Sequence, residues 1–88
     1  MSNNIMWFNY QPTSGVQVHY TDLNGIEKTY QTNFSTPEKV VRTIAMLAHN
    51  NEIGEITCVG LAYDLAPAIK QQLIRTYNNE SVKFIKGE

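Results

Sequence analysis

The sequence predicts an α+β chain built as a two-layer α/β sandwich. A five-stranded mixed sheet carries two helices on one face, in the order β-β-β-α-β-α-β. Three observations point there. Asn24-Gly25 is a strong reversal signal, and it joins two segments whose apolar residues alternate with period two. Two later segments repeat their apolar residues at helical spacing. The stretch 56–85 reads strand, helix, strand, which calls for two parallel strands joined by a right-handed crossover. Two amphipathic helices can cover one face of such a sheet.

The first strand is Ile5-Met6-Trp7-Phe8-Asn9-Tyr10, rich in β-formers and ended by the turn residues Gln11-Pro12 and Ser14-Gly15. Met6, Phe8 and Tyr10 share one face; Ile5 and Trp7 share the other. This strand is expected to pair with the hairpin that follows.

The hairpin has two registers to choose between. A two-residue loop at Asn24-Gly25 sets Tyr20 opposite Thr29 and puts Val16, Val18 and Tyr20 on the same face as Thr29, Gln31 and Asn33. A three-residue loop, with a type I turn from Asp22 and a left-handed Gly25, sets Asp22 opposite Ile26, Tyr20 opposite Lys28 and Val18 opposite Tyr30. Asp suits the first turn position because its carboxylate accepts from nearby backbone amides. The second register gathers Val16, Val18, Tyr20, Ile26, Tyr30 and Phe34 with the Lys28 stem. It leaves Gln17, His19, Thr21, Glu27, Thr29 and Gln31 on the opposite face. A slip of one residue exchanges the faces, so the cleaner segregation selects the bulged hairpin, with strands at 15–22 and 26–34.

A helix follows at Ser35-Thr36-Pro37-Glu38. Thr36 is a good N-cap, Pro37 fits the first helical position and Glu38 complements the positive end of the dipole. Val40, Val41, Ile44, Leu47 and Ala48 form its stripe, and it should stop near His49-Asn50-Asn51. Ile56–Ala62 has small or apolar residues on both faces and reads as a central strand. Asp64 is expected to cap a second helix from Leu65 to about Tyr77, with Pro67 in its first turn and Leu65, Ile69, Leu73 and Tyr77 buried. Asn78-Asn79 ends it, and Ser81–Lys86 is the last strand, with Val82 and Phe84 on one face.

The 88 residues make one domain, 1–88, with a modest core. Charged residues are only 17% of the chain and the net charge is −1, with no basic cluster. That disfavours nucleic acid and anionic membranes as partners. The one cysteine, Cys58, has no partner for an internal disulfide, which suits a reducing compartment. The N-terminus has no basic segment followed by an apolar core, and no apolar run approaches the roughly 20 residues needed to span a bilayer. A cytoplasmic location is expected, with no membrane contact.

Catalytic constellations are sparse. His19 and His49 are the only imidazoles. His49, at a helix end, is expected to be structural, and Cys58 to be an inert core thiol. No Cys pair and no HxH or HExxH spacing suggests a metal, so neither metal nor cofactor is expected. Glu52, Glu55 and Glu80 read as solvated loop charges. The strand-to-helix turn at Gly60–Asp64 lacks the Gly-rich run and Lys of a phosphate loop.

The surface that stands out is the open side of the sheet. Trp7 would lie there among Gln17, His19, Thr21, Thr29 and Gln31. A Trp amid neutral hydrogen-bonding groups has the composition of a protein contact. The expected function is therefore a non-catalytic protein-interaction module, a regulator or inhibitor binding through this face or a sheet edge, with a homodimer as a further option. Phages and mobile elements encode many stand-alone domains of this size. Three alternatives carry less. One is a nucleotide- or metabolite-binding oligomer, with Tyr20, Tyr63 and Asp64 (and His19) lining its pocket. The others are a sheet platform for RNA and a small enzyme using His19 as base.

Overall fold

A computed structural model of the protein describes residues 4–32 and 36–87. Its elements run β1 (Asn4–Gln11), β2 (Gly15–Thr21), β3 (Glu27–Thr32), α1 (Pro37–Asn50), β4 (Ile53–Val59), a 3₁₀ helix (Gly60–Leu65), α2 (Ala66–Tyr77) and β5 (Lys83–Gly87). The sheet order is β3-β2-β1-β4-β5. β2 runs antiparallel to both β1 and β3, while β4 is parallel to β1 and β5 to β4. The sheet is thus mixed, antiparallel on one side of β1 and parallel on the other.

The bulged hairpin is present. Val18 pairs with Tyr30 and Tyr20 with Lys28. The Asp22 amide donates to the Ile26 carbonyl, the Gly25 amide donates to the Asp22 carbonyl, and Gly25 takes the left-handed conformation (φ +79°). The Asp22 carboxylate accepts from the amides of Asn24 and Ile26, both at 2.9 Å, and pairs with the Lys28 ammonium at 3.2 Å. The amide of Ile26, then that of Asn24, and the adjacent Lys28 hold its pKa below the usual value against an opposing effect of burial. Each of these contacts favours the ionised carboxylate.

α1 has the expected cap: Thr36 Oγ1 accepts from the Lys39 amide, and Val40, Val41, Ile44, Ala45 and Ala48 are buried. α2 buries Ala66, Ile69 and Leu73 and ends at Asn78 in the left-handed region. Both stripes join one core with Met6, Phe8, Tyr10, Val16, Val18, Ile56 and Cys58. Burial without a charged neighbour pushes the Cys58 thiol up to about 11, so it is a packing group. The His49 ring stacks on Tyr77, centroids 4.3 Å apart, and ties the two helix ends together.

The structure corrects the expected layout in four places. The central strand is 53–59, not 56–62, because Gly60 turns the chain at φ +62° into the 3₁₀ helix. Asp64 does not cap α2: the chain is already helical there, and the Ala66 amide donates to the Tyr63 carbonyl instead. Glu55 is a strand residue rather than a loop charge. Tyr30 lies on the helix side but is 37% exposed, since β3 is an edge strand, and Ile26 is 56% exposed because it belongs to the loop before that strand. Phe34 and Ser35 lie outside the described residues, as does the end of the expected second hairpin strand.

Candidate interaction surface

Alternation along each strand and register between strands together build the open face. Met6, Phe8 and Tyr10 point into the core, which turns Ile5, Trp7 and Asn9 outward on β1. The pairings then align three rows across the sheet. The middle row is Thr29, His19, Trp7, Thr57 and Ile85. On one side lies Gln31, Gln17, Asn9, Val59 and Gly87; on the other, Glu27, Thr21, Ile5, Glu55 and Lys83. Trp7 is the centre of this lattice.

Trp7, Gln17, His19, Thr21, Thr29 and Gln31, the residues expected to form a contact surface, are therefore neighbours on one face. The indole is half-buried and leans on His19, with ring centroids 4.9 Å apart and planes 60° apart. His19 Nδ1 lies 3.3 Å from Thr29 Oγ1, so imidazole and hydroxyl share a hydrogen bond across β2 and β3. These contacts link Thr29, His19 and Trp7 across three strands. A concavity of about 490 Å³ opens beside it, reached by Ile5, Trp7, His19, Thr21, Glu27 and Thr57.

Sequence reasoning missed the other half of the face. Thr57 and Val59 are half-buried, and Ile5 and Ile85 are exposed at 58% and 38%. Ile5 was expected on this face with Trp7. Thr57 and Val59 were hidden within a strand that read as buried on both sides, and Ile85 in a last strand whose outward face was not considered. The usable signal was a count: two helices cover one face, so the outward residues of a parallel strand must be left open.

The expected ligand-pocket residues are not brought together. Tyr63 and Asp64 line a cavity of about 640 Å³ with Pro67, Lys70 and Phe84, between the start of α2 and β5. The Lys86 ammonium sits 5.8 Å from the centre of the Tyr63 ring. Tyr20, on β2 beside Met6, belongs to the other concavity, with β1 and β4 between it and Phe84. His19 contacts Thr29 and Trp7, and Glu27 lines the same concavity without a hydrogen bond to it. Among the described residues no group of three or more His, Cys, Asp or Glu is placed to hold a metal ion. No helix among them is long and apolar enough to cross a membrane.

No protein-family model matches the chain, and no curated protein matches it in sequence.

Proposed function

We propose that this protein is a non-catalytic binding module, a regulator or inhibitor in kind, whose contact surface is the open sheet face around Trp7. One observation carries the reading. β1, β4 and β5 are parallel, and parallel strands are normally covered on both faces. Here the second face carries Ile5, Trp7, Val59 and Ile85, and no element among the described residues lies over it. The surrounding Gln, Thr and His side chains supply a polar rim of the kind protein contacts use. Replacing Trp7 or His19 with Ala should abolish capture of the partner while circular dichroism stays unchanged. Partner binding retained in both variants would refute it.

A second reading has its own support in the 640 Å³ cavity lined by Tyr63, Asp64, Lys70 and Phe84. Aromatic walls with a few charged groups suit a small metabolite. Native mass spectrometry of protein purified from its host should then show an added mass. A Lys70→Glu variant should lose that mass.

A further inference from the structure

We infer that the first occupant of the open face is a second copy of this chain, docked face to face about a two-fold axis lying along β1. The inference rests on the preceding reading that this face is a contact surface, and adds who contacts it. Two properties of the face argue for a second copy: its charge pattern and its area.

Charge comes first. Glu27 and Lys83 stand at opposite ends of one row, on the two edge strands. Neither has an ion-pair partner among the described residues, where Asp22 and Lys28 form the salt bridge. A two-fold axis along β1 lays β3 over the other copy's β5. Glu27 then meets the partner's Lys83, and Lys83 meets the partner's Glu27, so the dimer gains two ion pairs and each charge has one partner. An axis along the rows instead sets Glu55 on the partner's Val59 and leaves Glu27 against the partner's Gln31. An axis between β1 and β4 sets Glu55 on the partner's Ile5. The axis along β1 sets Glu55 on the partner's Thr21 and is the one of these three that pairs both edge charges, the reciprocal match an isologous contact can make.

The other contacts follow from the same axis. Trp7 lies on it, so the two indoles meet, and each His19 lies over the partner's Thr57. Ile85 meets the partner's Thr29, and Val59 the partner's Gln17, so the apolar half of each copy covers the polar half of the other.

Area favours the same axis. Five strands about 4.8 Å apart and about seven residues long give a flat face of roughly 550 Å², before side-chain relief is added. Stable interfaces bury upwards of roughly 600 Å² per partner. Overlaying all five strands brings the flat area close to that threshold, and an axis displaced sideways from β1 loses a strand. The sheet edges and the helix side stay free for other molecules.

The chain has a single Trp, which makes the wild-type protein its own probe. Sedimentation equilibrium should show a dimer, and dilution should shift the indole emission to the red as the dimer dissociates. Asn9 lies on the axis, so Asn9→Cys should crosslink to its own copy on oxidation while Gln17→Cys should not. Glu27→Lys and Lys83→Glu should each weaken the dimer roughly threefold to tenfold, and the double reversal should restore it. A folded monomer at several hundred micromolar would overturn the inference. So would a dimer that neither crosslinks through Asn9→Cys nor responds to the charge reversals. A monomer that captures a different protein in a Trp7-dependent way would overturn the second-copy assignment while sparing the binding-module reading. A monomer whose capture ignores Trp7 would remove both.

Discussion

The two halves of the open face differ in what they leave uncovered. Beside β1 on the antiparallel side, β2 and β3 present Gln17, His19, Thr21, Glu27, Thr29 and Gln31. On the parallel side, β4 and β5 present Thr57, Val59 and Ile85, with Glu55 and Lys83 at one end and Ile5 and Trp7 adjoining from β1. Antiparallel sheets commonly keep one wet face, and the first half conforms. Parallel sheets do so seldom, and the second half departs from that habit. The difference teaches that the bare region is not uniform. Its polar half is stable against water as it stands, whereas its apolar half gains from being covered. Burying apolar area is worth about 25 cal/mol per Å².

Four measurements bear on this contrast. The largest effect should come from comparing adjacent residues of β1. Phe8→Ala removes a fully buried ring and should cost about 3–5 kcal/mol in urea unfolding. Trp7→Ala should cost the monomer much less, since its ring already meets water. Similar losses at both positions would mean that the open side is as closed as the core.

Next, Ile85→Lys should weaken association by about thirtyfold, the size of a contact hot spot, when measured by sedimentation. Gln31→Lys, on the polar half, should change it little. Equal responses would erase the distinction between the halves. A smaller effect tests the turn that sorts them: Gly25→Ala forces a Cβ into the left-handed conformation and should cost about 1 kcal/mol.

The last concerns acid. Asp22 has a pKa below its ordinary 3.8 when folded, so its carboxylate form is bound more tightly by the native state. Its contribution is complete above pH 3.8 and fades as pH falls through the lower folded value. Wild-type stability should therefore drop more steeply below that pH than that of Asp22→Asn, with unfolding midpoints followed from pH 5 to pH 2. Parallel pH profiles would show that the carboxylate does not anchor the turn.

Much of the fold was legible because its signals are local. Asp22 and Gly25 have one conformation that satisfies both, and the alternation from Val16 to Gln31 selects one register. Thr36-Pro37 likewise admits one helix start. What escaped was tertiary. Asp64 resembles a cap by type, but Gly60 had already begun a helical turn upstream, which no propensity at Asp64 reveals. Tyr30 is correctly sided, yet it is exposed because it lies on an edge strand. The outward residues on β1 to β3 were readable from the hairpin pattern. Thr57, Val59 and Ile85 were not, since their exposure depends on a layer that is missing rather than on any residue nearby.

The Asn4 amide donates to the carbonyls of Asp22 at 3.3 Å and Asn51 at 2.8 Å. These are the hairpin loop and the cap of α1, parts of the chain 18 and 47 residues distant from Asn4. One carboxamide thus works as a latch that closes only after strand, loop and helix have all arrived. Assembly of the hairpin and of α1 can proceed without it. Loss of this side chain should accordingly speed unfolding and leave the rate of folding nearly as it was.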